Sequence, residues 1–140
     1  MKESVEIGYS FAKHYVYRID RKNQYLEAKN LHIHFPEGAS KKDGPSAGIT
    51  IVTALISSAL QKPYNPDFAM TGEISLNGRV LKIGGLREKI LAAKREGIKN
   101  IILPLANKAD IDELKDYVKE GMKFHMVQHY DEVYRLIFSK

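Results

Sequence analysis

The stretch Ile49–Leu60, "ITIVTALISSAL", carries no charged side chain and is apolar on nearly every face of a helix. Such a helix has no side to offer water, so the fold around it has to enclose it. It is shorter than the roughly 18 uncharged apolar residues that a membrane span takes, and no such run occurs elsewhere in the chain. The covering must therefore come from the rest of the protein. With 140 residues, 44% of them apolar, the chain suffices for one globular domain with one core and would be cramped for two. Residues 1–140 are read as a single domain.

The segments on either side predict what that domain contains. Residues 2–19 carry a helical stripe in which Val5, Gly8, Ala12, Tyr15 and Ile19 recur at three- and four-residue steps. "LHIHF" (31–35) alternates and reads as a strand, with His32 and His34 on one face. "PEGASKKDGP" (36–45) is a loop rich in chain breakers, and the apolar helix follows over 47–60. "FAMTGEIS" and "RVLKI" flank Asn77-Gly78, which predicts a hairpin with a two-residue type I′ turn. Gly84-Gly85 leads into a helix over 86–96, closed by Gly97. "NIILP" is a short strand, "DIDELKDYVKE" a single acidic-fronted helix, "KFHMV" a strand and "DEVYRLIF" a terminal helix. Helices and strands in alternation predict an α/β (α+β) domain, a mixed β-sheet with packed helices.

Composition removes several functions. There is no cysteine, hence no disulfide, no thiolate metal site and no thiol nucleophile, which suits a reducing compartment. "MKESVEIGYSFAKHY" mixes acidic with apolar residues and has no small-residue cleavage site, so it does not read as a signal peptide. The net charge of +5 is spread over segments such as "LREKILAAKREGIKN", where basic and acidic residues interleave as on solvated helix faces. "DGPSAG" lacks a following Gly-Lys-Ser/Thr and "NGRVLKIGGL" lacks dinucleotide spacing, so neither is a phosphate loop.

The candidate chemistry centres on Ser46. A serine after proline at the start of an apolar helix is most often a cap. Here Gly44 and Gly48 leave the nearby backbone uncluttered, and a helix N-terminus suits a developing oxyanion. The parts for acyl transfer are present except a base. One source is the pair His32 and His34, which with Asp43 would make a Ser–His–Asp set. The same pair could bind a metal, but no third or fourth ligand is evident. The other source is a lysine on the 86–96 helix, where Lys89 and Lys94 both flank the apolar stripe of Leu86, Ile90, Ala93 and Gly97. Periodicity does not choose between them. A lysine acts as base only if burial brings its pKa down from about 10.4 toward neutrality.

Taken together, "KDGPSAGIT", "MTGEISLNGRVLKIGGLREKILAA" and "GIKNIILP" resemble the proteolytic domain of the Lon family of ATP-dependent proteases. The likeness runs from "MKES" to "DEVYRLIF", nearly the whole chain, and the "KDGPSAG" form resembles the soluble A-type branch. It implies the Lon proteolytic-domain fold and a serine endopeptidase working through a Ser–Lys dyad. Ser46 would be the nucleophile and Lys89, in "GGLREK", the base, leaving Lys94 on the surface. Thr71 would support the lysine, Glu73 and Asp43 would help shape the site, and His34 would lie near it without being the base. Gly44, Pro45 and Ala47 would frame the loop beside the oxyanion. A carboxylate touching the lysine would favour its charged form, so Glu73 is expected not to contact Lys89 in the competent state.

The resemblance also implies partners. The substrates would be unfolded, damaged or regulatory proteins. This chain would need no metal or cofactor, while ATP and magnesium would serve an AAA+ ATPase module that complete relatives carry upstream. Relatives also begin the proteolytic domain some tens of residues earlier, with extra strands, so this chain is expected to be N-terminally truncated and to bare a sheet edge. A hexamer is expected of the full-length protein, with this piece able to stand as a monomer. Weak DNA contact is allowed and membrane contact is not. The expected compartment is the cytoplasm, or the mitochondrial matrix in a eukaryote. The alternative reading is a nucleic-acid- or protein-binding α/β module without catalysis.

Overall fold

The computed structural model describes residues 2–28 and 47–138. The predicted strand at 31–35 and loop at 36–45 lie outside them. Helix α1 (Lys2–Ile19) forms where the stripe predicts it. Ala12 and Tyr15 are buried as expected, together with Phe11 and Val16, but Ile19 is 47% exposed. Ile19 is the last helical residue, and the chain turns away directly after it through an Asn23 N–H to Asp20 carbonyl bond of 3.0 Å. A short turn of helix, α2 (Tyr25–Ala28), follows. The Asn23 side chain ties this corner to the Ala59 carbonyl at 2.8 Å.

The apolar run becomes helix α3 (Gly48–Leu60), with Ile49, Ile51, Val52, Leu55, Ile56 and Ala59 buried. Helix α1 packs along it. A methyl group on Gly8 would stand 3.1 Å from Ile51 Cγ2, so the missing side chain lets the two helices close.

Strands β1 (Phe68–Met70), β4 (Asn100–Pro104) and β5 (Lys123–Val127) form a parallel sheet in the order β1-β4-β5. Its residues alternate between two cores. Phe68, Met70, Ile102 and Val127 face α1, α3 and the terminal helix α7 (Tyr130–Phe138). Ala69, Ile101, Leu103, Phe124 and Met126 face α4 (Leu86–Arg95), α5 (Lys108–Asp112) and α6 (Asp116–Lys119). A parallel sheet is normally covered on both faces, and this one is.

The α/β expectation is met, with the sheet divided into this parallel part and a separate antiparallel ribbon of β2 (Glu73–Ile74) and β3 (Val80–Leu81). Two local readings are corrected. Residues 68–70 belong to the parallel sheet and not to the hairpin, which starts at Glu73. Its turn is not type I′, because Gly78 has φ +89 while Asn77 is not among the positive-φ residues. The Gly78 N–H bonds to the Ser75 carbonyl and the Ser75 N–H to the Arg79 carbonyl, both at 3.0 Å, a three-residue loop with its left-handed position at glycine. The predicted helix over 110–120 is two short helices. Lys115 leaves helical geometry at ψ 151, and the break turns the carbonyls of Tyr117 and Val118 toward α4, where Lys94 meets them.

Between α1 and α7, Phe11, Tyr15 and Tyr130 pack edge to face or tilted, with ring centroids 5.3 to 5.7 Å apart. The buried Tyr130 hydroxyl meets Thr53 Oγ1 at 2.8 Å, and Thr53 donates to the Ile49 carbonyl at 2.8 Å. The chain of bonds makes the two partners unequal. Tyr130→Phe leaves Thr53 still bonded to Ile49 and is expected to cost about 0.5–1.5 kcal/mol. Thr53→Val strands a buried phenol and should cost more, about 1–3 kcal/mol. Urea unfolding of the two variants checks the order, and equal losses would contradict it.

Burial raises the pKa of both Tyr15 and Tyr130 above the ordinary value near 10, and for Tyr15 a hydrogen bond to Asp131 adds to it. Tyr117 is shifted down because the Arg87 guanidinium bonds its oxygen. Above pH 10 an unfolded chain loses the two protons that the folded state keeps. The folded state then binds more protons, so stability is unaffected by this pair below pH 10 and falls as pH rises beyond it. Of the eight tyrosines, Tyr117 is expected to ionise early, and Tyr15 and Tyr130 only as helical circular dichroism is lost. Tyrosinate absorbance recorded alongside that signal tests this. Full ionisation of all eight in a folded chain would overturn it.

Candidate active site

The start of α3 is built to sit against backbone. Ala47 occupies the N-cap position with φ −89 and ψ 2 and makes no side-chain cap bond. The N-cap of the described helix thus falls at Ala47, the residue after Ser46 in the chain. The Ile49 N–H donates to the Gly72 carbonyl at 3.1 Å. A Cβ at position 48 would lie 2.8 Å from the Ile74 nitrogen and 3.2 Å from the Gly72 oxygen, closer than side chains approach backbone. Glycine at 48 is thus required by the contact between this turn and the "TGEI" segment.

That segment leaves the sheet at Thr71. The Thr71 N–H still bonds the Ile102 carbonyl at 3.0 Å, and its side chain is buried. Glu73, two residues on, pairs with Leu81 in the ribbon and is half-buried. Among the described residues no ion pair joins Glu73 to Lys89.

Helix α4 supplies the lysines. Gly85, at φ +65, turns the chain into it, and Gly97, at φ +76, follows its end as the sequence predicts. Lys89 is half-buried and its Nζ donates to the Gly84 carbonyl at 2.9 Å. Lys94 faces the other way. Its Nζ donates to the carbonyls of Tyr117 at 2.7 Å and Val118 at 3.5 Å, while Arg87 Nη2 donates to the Tyr117 hydroxyl at 2.8 Å. Lys94 is half-buried and holds α6 onto α4, so it is more than a surface residue.

A cleft of about 400 Å³ brings these elements together. Its lining takes Ala47 and Thr50 from α3, Ala69, Met70 and Thr71 from the end of β1, and Lys89, Ala92, Ala93 and Glu96 from α4. Ile98 and Ile101 close it below. The wall is mostly apolar, with the Lys89 amine, the Glu96 carboxylate and two threonines, Thr50 and Thr71, set into it. Of the predicted site residues, Lys89, Thr71 and Ala47 line this cleft, and Glu73 stands outside its lining. Ser46, Asp43, Gly44, Pro45, His32 and His34 lie outside the described residues, although Ala47 directly follows Ser46 in the chain. Among the described residues, no cluster of three or more His, Asp or Glu could hold a metal ion.

One residue of this region went unread in the sequence. Asn107, fully buried, pairs its side-chain amide with both backbone groups of Ile83 ahead of α4. A polar residue one turn after a buried strand, in "LPLANKAD", was the only signal for it.

Gly48→Ala is expected to destabilise the fold by about 1–3 kcal/mol, because its methyl group meets backbone that cannot rotate away. Gly8→Ala meets only a side-chain methyl group and should cost less. Denaturant midpoints for the two variants decide it. A neutral Gly48→Ala would mean the α3 contact is looser than described.

The family described as "Lon protease (S16) C-terminal proteolytic domain" matches residues 1–140. The mitochondrial Lon protease homolog of Drosophila melanogaster is 48% identical over 139 residues, 99% of this chain and 14% of the fly protein. That of Ostreococcus lucimarinus is 53% identical over 135 residues, covering 96% of this chain and 14% of its own length. That of Bos taurus is 49% identical over 140 residues, all of this chain and 15% of the bovine protein. The chain thus spans about one seventh of the length of these relatives.

Proposed function

Because this chain belongs to the family of Lon protease (S16) C-terminal proteolytic domains, we propose that it is the serine-peptidase part of an ATP-dependent protease, cutting peptide bonds through Ser46 and Lys89. The observation that carries this reading is the cleft where the Lys89 amine, Thr71 and Ala47 share one wall. Ser46 immediately precedes Ala47 in the chain.

The steps follow from these groups. Neutral Lys89 accepts the Ser46 proton as Oγ attacks the peptide carbonyl, and the carbonyl electrons move to oxygen. The oxyanion is held by backbone N–H groups ahead of Ile49, since that residue's own N–H is already given to Gly72. Collapse expels the peptide amine, which takes the proton back from Lys89, and water then cleaves the acyl-enzyme by the same route. Thr71 orients the lysine amine, Asp43 and Glu73 shape the loop and ribbon around it, and His34 lies nearby without acting as base. The apolar lining favours an apolar substrate side chain beside the scissile bond.

The relatives' greater length accommodates an AAA+ ATPase module, and there ATP and magnesium are used to feed unfolded, damaged or regulatory proteins to the site. The assembled protein is a hexamer. The relatives' names place them in mitochondria, and the matrix is the corresponding compartment for this chain if its source is eukaryotic, the cytoplasm otherwise.

The test is peptide cleavage by the full chain joined to the ATP-dependent portion of a relative. Ser46→Ala and Lys89→Ala should each lower kcat on the order of 10³-fold or more. Lys94→Ala should keep kcat within a few-fold while losing about 1 kcal/mol of stability with its carbonyl bonds. Peptides with Leu before the cut should outpace those with Asp. Cleavage that survives Lys89→Ala but not Lys94→Ala would reverse the assignment of the base, and cleavage indifferent to Ser46 would end the serine-peptidase reading.

A further inference from the structure

The lysine assigned as base is bonded to the turn that leads into α4, where Ile83 is buried in the second core and its neighbours are exposed. Its Nζ donates to the Gly84 carbonyl at 2.9 Å. Strand β3 has ended at Leu81, Lys82 and Gly84 are exposed, and a Cβ built on Gly84 would meet nothing within 4 Å. Open space therefore lies on the Cβ side of Gly84 among the described residues. What fixes the Gly84 carbonyl is one position earlier. Ile83 gives its N–H to Asn107 Oδ1 at 3.1 Å, and Asn107 Nδ2 returns a hydrogen bond to the Ile83 carbonyl at 2.9 Å.

Asn107 thus does for Ile83 what a neighbouring strand would do, with both backbone groups satisfied by one side chain. It is itself 0% exposed, and Nδ2 also donates to Asp110 Oδ2 at 2.8 Å, at the first turn of α5. Within the second core the amide is a rigid brace between α5 and the entry to α4. Buried polar groups with every bond made set one geometry, whereas an apolar residue of the same size would let the segment shift.

We propose that Asn107 is a positioning residue for the peptidase reaction: by clamping Ile83 it fixes the Gly84 carbonyl, which holds the Lys89 amine at the cleft. The inference rests on the reading of Lys89 as base. A base displaced by about 1 Å can cost on the order of 10²-fold in rate while leaving substrate binding untouched. A loss confined to the chemical step appears in kcat and not in KM.

The experiment compares Asn107→Ala and Asn107→Asp in the full chain joined to the ATP-dependent portion of a relative, well below each variant's melting temperature. Asn107→Asp keeps an acceptor for the Ile83 N–H but sets a carboxylate against Asp110, so it is made together with Asp110→Asn, and that pair gives the answer if Asn107→Ala does not fold. The control is Ile137→Val or Ile137→Ala in α7, whichever matches the loss of stability. We expect kcat to fall ten- to hundredfold in the Asn107 variants, KM to stay within twofold, and the control to keep its kcat. An unchanged kcat, a rise in KM alone, or an equal fall in the control would each overturn the proposal. If Lys89→Ala is inactive and the Asn107 variants match the control, only this inference fails. If Lys89→Ala still cleaves, the assignment of the base fails and this inference with it.

Discussion

The backbone contact between the first turn of α3 and Gly72–Ile74 determines how the rest of the molecule can be arranged. The bond from Ile49 to Gly72 and the absence of a side chain at Gly48 bring a helix start within van der Waals distance of a chain leaving the sheet. The Thr71 N–H, bonded to Ile102, ties that same chain to the central strand β4. A helix with no polar face is thereby docked by one end to the edge of the parallel sheet, while α1 and α7 cover its sides.

Helix α4 shows how one element can serve both chemistry and cohesion. Lys89 and Lys94 are five residues apart, about 140° around an ideal helix. With Ile90 and Ala93 buried between them, the two amines emerge on opposite sides of the apolar stripe. One meets the cleft and the Gly84 carbonyl; the other meets the carbonyls that end α6. The same spacing that made them indistinguishable in a periodicity argument gives them separate tasks once neighbours exist on both sides.

Much of the fold was legible because it depends on local chemistry. The apolar run 49–60, the glycines bounding α4 and the apolar strand 100–104 each announce themselves within a few residues. The misreadings were of another kind. Whether Asn77-Gly78 forms a two- or three-residue loop depends on the ribbon register, which the contact of Gly48 with Ile74 helps to set. The interruption of 110–120 includes Lys115 in extended geometry, and no glycine or proline there marks it. Of the expected site residues, Ala47, Thr71 and Lys89 come together at one cleft, Thr71 having been named by the resemblance and not by any local pattern. The brace at Asn107 was not legible, since an asparagine after a strand is ordinary until the partner 24 residues away is known.

The sequence by itself determined that one helix must be fully enclosed, that helices and strands alternate around it, and that a serine precedes it with two lysines available downstream. These follow from side-chain polarity and backbone freedom, which belong to each residue wherever it sits. Only the tertiary structure decided which lysine turns to the cleft, where the sheet divides into two parts, and what holds the lysine's carbonyl partner. Those outcomes are settled by distances between segments far apart in the chain, and periodicity along one helix holds no information about what stands on either side of it.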